Sequence, residues 1–202
     1  MLFAHGIFKI VKWVFLILVG LYIILVIVRA FHFYNLDKTN AQVEKIHATK
    51  LTMDDVMGKN LPPDPGVEAD KTVAGIDANN NGIRDDVELA VFKEYPNSAK
   101  TRAVLLQYAL ALQMEVMQPI VNTETVTEVV REQSRAYDCV SKILPRVSLN
   151  QYMKEGDILI SFVKEKQFNT QDRINQRNSF LKNIGSYSEL GGCDIDYSTL
   201  PN

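Results

Sequence analysis

The sequence predicts an all-α protein with an N-terminal single transmembrane helix followed by a compact antiparallel helical bundle. Three observations support this fold class. The run 13–28 is apolar and uncharged, later segments repeat apolar residues at helical spacing, and no segment sustains the polar–apolar alternation of a strand. The connections between the later segments are short, which favours a bundle of neighbouring helices.

The composition fits one folded domain with an appendage. The chain has 202 residues, 47% of them hydrophobic, so it is not mainly disordered, and its two cysteines are too few for a disulfide-dense miniprotein. A net charge of −2 gives no support for nucleic-acid binding. Three of the 22 basic residues lie in the first 29 positions and all 24 acidic residues come later, so the remainder carries −5.

The apolar run WVFLILVGLYIILVIV predicts a membrane anchor. Its uncharged core spans roughly 24 Å, and Lys12 and Arg29 can extend away from the bilayer, so a span of about 7–33 is long enough. A cleaved signal peptide is one alternative, but the run ends in VRAFHF, where small residues would be needed. A buried core helix is the other. The short segment before the span favours an N-terminus that stays inside.

We predict three parts: the short N-terminus and transmembrane anchor at 1–34, a juxtamembrane stalk and Pro-rich connector at 35–66, and a helical domain at 67–202. In the stalk, 35–50 looks like a helical extension. Thr52 is expected to cap a short helix closed by Gly58. NLPPDPG then predicts an extended loop, because three prolines preclude a helix.

Five helices are predicted in the domain, at 85–95, 98–118, 123–144, 148–167 and 170–184. Ser98 and Thr123 are the expected N-caps of the second and third. The side chains expected to face the core are Val87, Leu89, Val91, Phe92, Val104, Leu105, Tyr108, Leu112, Val116, Val126, Val129, Val130, Tyr137, Val140, Leu144, Leu149, Tyr152, Ile158, Leu159, Phe162 and Val163, with Met114, Met117 and Met153.

Residues 77–88, DANNNGIRDDVE, match the calcium-loop pattern D-x-[DN]-x-[DN]-G-x5-E at every defined position. Calcium takes six to eight oxygen ligands at about 2.3–2.6 Å, which acidic and amide side chains at alternate positions can supply. Gly82 permits the sharp turn. The predicted ligands are Asp77, Asn79, Asn81, the Ile83 carbonyl, Asp85 and Glu88. A metal-free turn, with Asp85 capping the next helix and Arg84 paired to a carboxylate, is the alternative.

The surroundings of this EF-hand-like loop differ from an EF-hand. Prolines and glycines within 62–75 leave no room for a full incoming helix, and Arg84 stands where an aliphatic residue is usual. The pattern is more similar to the calcium loops of thrombospondin type 3 repeats. LPPDPG followed by GIDANNNGIRDDVE also resembles small uncharacterised envelope proteins of Gram-negative bacteria, over about 51–95. The resemblance implies the same six ligands. We expect one unpaired loop to be a structural staple of weak affinity, ~10⁻⁴–10⁻³ M.

Cys139 and Cys193 suggest a disulfide in an exported domain that holds the irregular tail against the bundle. Two separate buried thiols are the alternative. With the resemblance, the anchor and the cysteines predict a single-pass protein of the bacterial inner membrane with a periplasmic C-terminal domain.

The histidines argue against an enzyme. His5 and His32 lie near the ends of the anchor, His47 lies in the stalk, and none follows residue 51, which excludes Ser–His and Cys–His pairs within the domain. We therefore predict a non-enzymatic, calcium-binding structural or binding module. One alternative is a subunit for envelope assembly that docks on an envelope protein, with calcium incidental. A less favoured one is a carboxylate-based hydrolase of envelope polymers.

Overall fold

In the computed structural model, residues 2–188 and 191–201 are described, with side chains from Val11 onward. All regular structure within these residues is helical, which confirms the prediction of an all-α protein with a long apolar N-terminal helix and a helical bundle. Two short 3₁₀ turns lie at Gly66–Asp70 and Tyr197–Thr199. The α-helices are α1 Leu2–Ala48, α2 Met53–Met57, α3 Asp85–Glu94, α4 Ala99–Met117, α5 Thr123–Lys142, α6 Leu149–Gln167 and α7 Gln171–Leu181.

The chain divides into two compact units, Met1–Ala41 and Gln42–Asn202. The first contains most of α1, and this helix is long and apolar enough to cross a membrane. Its large side chains are not covered by protein: Trp13 is 66% exposed and Tyr22 is 68% exposed. Such exposure of apolar and aromatic side chains is expected where lipid surrounds a helix.

The second unit is a helical bundle built around α4. This helix packs against α2, α3, α5, α6 and α7, and nearly all of its residues are buried. Leu105, Leu106 and Leu112 have no exposed surface. The core also takes Ile46 from the last turns of α1 and Val56 from α2. Residues near the end of the predicted stalk therefore pack in the hydrophobic core.

The helix boundaries follow from their capping residues. Thr52 caps α2, and Gly58 closes that helix with a φ of 69°. Ser98 caps α4, as predicted. The N-cap of α5 is Asn122, not Thr123, because the Asn122 side chain accepts from the backbone N–H of Thr125.

Five side chains predicted to face the core lie on the surface instead, each at least half exposed. The neighbouring helices cover a narrower strip of α6 than its apolar stripe, so mainly Ile160 and Val163 are buried there. The exposed positions in α4 and α5 have the same explanation. Apolar residues at helical spacing show which face is apolar, but not how much of that face the neighbouring helices cover. The five side chains are Met117, Tyr137, Leu149, Met153 and Ile158.

The cysteines form the predicted disulfide. Cys139 of α5 and Cys193 of the tail are bonded, with 5.7 Å between their Cα atoms, which is in the usual range. The disulfide fixes the irregular C-terminal segment to the bundle.

Two arginines without exposed surface hold the loop 77–88 and the segment that precedes it. Arg173 of α7 donates to three backbone carbonyls in this segment and to two side chains. The Arg173 guanidinium also lowers the pKa of the Asp70 carboxyl, mainly through their hydrogen bond. The acceptors of the Arg173 guanidinium are Ala69 O, Thr72 O, Val73 O, Asp70 Oδ1 and Asn169 Oδ1.

The second buried arginine, Arg84, belongs to the loop itself. It donates to Lys166 O at 2.7 Å and to Gln167 O at 3.2 Å, at the end of α6, and forms a two-point ion pair with Asp86. Arg84 is thus paired with a nearby carboxylate, as the alternative of a metal-free turn predicted. Because the guanidinium is fixed at all these points, the loop is held to the end of α6.

We predict that Gly75→Ala destabilises the protein by roughly 3 kcal/mol or more. Gly75 has a φ of 71°, and an added Cβ would lie 2.1 Å from Arg84 Cδ. Arg84 cannot move aside without breaking its buried hydrogen bonds. Thermal unfolding of the full-length protein in detergent micelles measures the change.

Gly66→Ala is the matched control. Gly66 also has a positive φ, 54°, but a Cβ there would meet nothing within 4 Å. This variant should therefore lose only about 1 kcal/mol, the cost of the backbone conformation alone. Equal losses at the two positions would contradict the close packing of Gly75 against Arg84.

Candidate metal centre

Hydrogen bonds to Asp77 close the loop 77–88. Asp77 Oδ1 accepts from the backbone N–H of Asn81 at 3.1 Å, and Oδ2 accepts from that of Gly82 at 2.9 Å. Gly82 has a φ of 84°, which a glycine adopts without steric cost. The Asn81 side chain makes the next turn by accepting from the N–H of Ile83 at 2.8 Å. The first half of the loop therefore curls around the Asp77 carboxylate.

The two ends of the loop meet through side chains. Asn79 Nδ2 donates to Glu88 Oε2 at 3.0 Å, so the third and twelfth positions of the pattern are in contact. Asn79 Nδ2 also donates to the carbonyl of Asn60 at 3.0 Å. Asn81 Nδ2 is buried without a hydrogen-bond partner in the described part of the chain. The amides of this site are therefore incompletely satisfied.

Asp85 and Ile83, the other two predicted ligands, make different contacts from Asp77, Asn79, Asn81 and Glu88. Both carboxylate oxygens of Asp85 lie within 3.2 Å of the N–H of Ala78, and the backbone N–H of Asp85 donates to Ile76 O. Asp85 is the first residue of α3, and its side chain braces the loop start rather than capping the helix. The Ile83 side chain is in the core, so only its backbone carbonyl is available as a metal ligand.

The site contains few acidic groups for a metal centre. Among residues 2–188 and 191–201, no three His, Cys, Asp or Glu side chains form a group that could hold a metal ion. Such a group counts only these four kinds of side chain. Three of the six predicted ligands are of other kinds, namely the amides of Asn79 and Asn81 and the backbone carbonyl of Ile83. The structure brings Asn79 and Glu88 together and places Asp77 within the same closed loop.

The carboxylates at the end of the loop are buried, and no basic side chain of the described residues pairs with them. Asp85 is 0% exposed and Glu88 is 1% exposed, and neither forms an ion pair within the described residues. Burial raises the pKa of Glu88 to about 7, although the Asn79 amide opposes the rise. Burial also raises the pKa of Asp85, although the hydrogen bond from the backbone N–H of Ala78 lowers it in part. Buried, unpaired carboxylates favour a bound proton or a metal cation.

Sequence reasoning missed two contributors to this neighbourhood. The Asn60 carbonyl reaches Asn79 from the connector, 19 residues away, with no local signal. An open cleft of about 790 Å³ borders the loop, lined among others by Lys45, Asn80 and Met114. Asn80 has a φ of 58°, the left-handed conformation that asparagine tolerates better than most residues.

His47 has a neighbour that its place in the predicted stalk did not indicate. Its Nε2 lies 3.0 Å from Glu128 Oε2 on α5, and its side chain is 44% exposed. The folded unit therefore contains one histidine, although no histidine follows residue 51 in the sequence. His47 does not line the cleft beside the loop.

We predict that the stability of metal-free protein falls as the pH rises from about 4.5 to 7. Between these values the folded state retains a proton on Glu88, whose pKa is about 7, whereas the unfolded state, near its ordinary 4.5, has lost it. Stability is therefore greatest below the unfolded pKa and declines until the folded pKa is passed, by up to roughly 3 kcal/mol. Urea unfolding in a chelator across this range measures it.

Glu88→Gln removes the titrating group and isolates its contribution. The variant should lose most of the pH slope that the wild type shows between pH 4.5 and 7. The buried Asp85 acts in the same direction, so only the difference between the two slopes is diagnostic. The lowered pKa of the ion-paired Asp70 affects stability below this pH range. Parallel slopes would show that Glu88 titrates normally in the folded protein.

Comparison with known proteins adds no relative. No family model matches the chain, no curated protein is significantly similar to it, and no solved structure matches its fold. Arguments about function therefore rest on the residues and their geometry.

Proposed function

We propose that this protein is a membrane-anchored periplasmic module whose helical domain is stapled by Ca²⁺ at the loop 77–88. The observation that carries the proposal is the pair of buried carboxylates without a cationic partner, Asp85 and Glu88, at the end of a loop already closed by hydrogen bonds. A bound divalent cation offsets these charges without protonation.

The donor set fits calcium in number and chemistry. Asp77, Asn79, Asn81 and Glu88 supply hard oxygens from a loop held by short-range hydrogen bonds, and Ile83 supplies a carbonyl. Reorienting the Asn79 and Asn81 amides would aim oxygens, rather than nitrogens, at the ion. Asp85 suits the ninth position, where ligation often passes through water.

A staple fits this loop better than a sensor. In a sensor, calcium binding moves the helices that flank the loop. Here Arg84, inside the loop, is bonded to the end of α6, and the segment before the loop is bonded to Arg173. These contacts hold both sides of the loop in place. Glu88 would therefore tie α3 to a frame that is already fixed.

The location is supported by two further features. The apolar part of α1 has exposed side chains and sufficient length for one membrane span. The disulfide between Cys139 and Cys193 fits an oxidising compartment such as the bacterial periplasm. The proposal includes no nucleic-acid partner, because the net charge is near neutral and the sequence contains no basic cluster.

We predict that 10 mM Ca²⁺ raises the Tm of the full-length protein in detergent micelles. A Kd of ~10⁻⁴–10⁻³ M gives about 1.4–2.7 kcal/mol of added stability at this concentration. For a domain of this size the rise is roughly 3–10 °C. Scanning calorimetry with and without Ca²⁺ measures it, and 10 mM Mg²⁺ should have a much smaller effect because it demands a tighter octahedral site.

Two variants on the same helix make this test specific. Glu88→Gln should abolish the Ca²⁺-dependent rise, whereas Glu94→Gln, an exposed acid at the end of α3, should preserve it. The staple would be refuted if 10 mM Ca²⁺ left the Tm of the wild type unchanged. It would also be refuted if Ca²⁺ raised the Tm of the two variants equally.

The topology is tested separately. A phosphatase that is active only in the periplasm, fused after residue 202, should be active in a bacterial host, and a fluorescent protein that folds only in the cytoplasm should stay dark at this position. The opposite pattern would place the domain in the cytoplasm and remove the basis for a periplasmic module.

A further inference from the structure

Besides its disulfide, the C-terminal tail 191–201 is held to the bundle by three partly buried apolar side chains and a small set of polar contacts. Among these, the N–H of Asp194 donates to Gln107 Oε1 at 3.0 Å, and Arg135 Nη1 donates to the carbonyl of Gly192 at 3.2 Å. No residue of the tail is fully buried, and only Cys193, Ile195 and Leu200 pack against the hydrophobic core. The backbone of Pro201 accepts from the N–H of Lys100 at 3.1 Å. A segment with so little buried apolar surface has low local stability once its covalent link is removed.

Asp194, beside the disulfide, has an almost fully buried side chain. Its carboxylate is 2% exposed and lies 2.8 Å from Arg135 Nη2 and 3.7 Å from Lys50 Nζ. Its other oxygen accepts from the backbone N–H of Leu51 at 3.0 Å. Asp194 thus joins the tail both to α5 and to the segment that leads from α1 into α2.

The charges in this cluster balance only while the tail is in place. Lys50 and Arg135 face Glu132 and Asp194, two positive against two negative groups. Without Asp194, two cations would share one carboxylate. The N–H of Leu51, a residue only 4% exposed, would also lose its acceptor.

We propose that the Cys139–Cys193 disulfide is a redox-controlled latch whose reduction releases the tail and loosens the Lys50–Leu51 segment. The co-reactant is a dithiol, either a small molecule or a protein of that class. One of its thiolates attacks the sulfur of Cys193, the partly exposed residue of the pair, and Cys139 leaves as a thiolate that takes up a proton. The second thiol of the reductant then attacks the mixed disulfide and displaces Cys193. The protein gains two electrons and two protons, and the dithiol becomes a disulfide.

The release follows from loop closure. Cys139 and Cys193 are 54 positions apart, so the reduced chain must close a long loop through the non-covalent contacts of the tail alone. Cys139 itself stays in the core, where it has no exposed surface. Reduction therefore opens the tail while α4 and its packing persist. The latch does not depend on calcium at the loop 77–88.

Hydrogen exchange, read at residue resolution on the full-length protein in nanodiscs of neutral lipid, tests the latch. Dithiothreitol should reduce the protection of the Leu51 amide and of the tail amides at least tenfold, while the α4 amides keep theirs. Reoxidation should restore the protection. A tail that stays protected after complete reduction would overturn the proposal.

Asp194→Asn separates the ion cluster from the covalent link. With the disulfide intact, this variant should lower the protection of the Leu51 amide about tenfold and leave the tail attached. Asp196→Asn, a control two positions away at an exposed acid outside the cluster, should leave Leu51 unchanged. If reduction frees the tail but Leu51 keeps its oxidised protection, the tail is not coupled to that segment and the latch is refuted.

Discussion

The fold of the unit Gln42–Asn202 depends on two arginines whose side chains are removed from water. A buried guanidinium is tolerated only when its donors are occupied, and Arg84 and Arg173 meet this condition with backbone carbonyls and carboxylates. Apart from Asp86, the acceptors lie in the stretch 69–73, in the last turn of α6 and just after it. The arginines therefore satisfy carbonyls that have no partner within a continuous helix or sheet.

This constraint explains why the loop 77–88 can bury carboxylates at all. A flexible loop would turn Asp85 and Glu88 toward solvent, where ionised carboxylates are more stable. The connection of Arg84 to α6 fixes the exit of the loop, and the close approach of Gly75 to Arg84 fixes its entry. The carboxylates stay buried because the frame around them is rigid, and their raised pKa values follow from that burial.

The sequence predicted the parts of the structure that depend on local chemistry. Caps such as Thr52 and Ser98 act within three residues, and the apolar period sets each helix, so these elements were found. The contacts of Arg173 reach residues about 100 positions away, and that of Asn79 to Asn60 crosses the connector. Such partners have no local signature. The outward position of Met153 was missed for a related reason, because periodicity identifies a face but not the area that neighbouring helices cover.

The polar face of α5 illustrates how a charged pattern gains a structural role. Mixed Glu and Arg residues on a helix are typical of a solvated surface, but Glu132 and Arg135 are only 3% and 7% exposed, because the segment after α1 and the C-terminal tail contact them. Buried ion pairs add little net stability compared with apolar side chains of similar size. Their value here is positional, since a displaced partner would leave a buried charge unpaired. The cluster thus favours the observed position of Lys50 and, while the disulfide is closed, that of the tail.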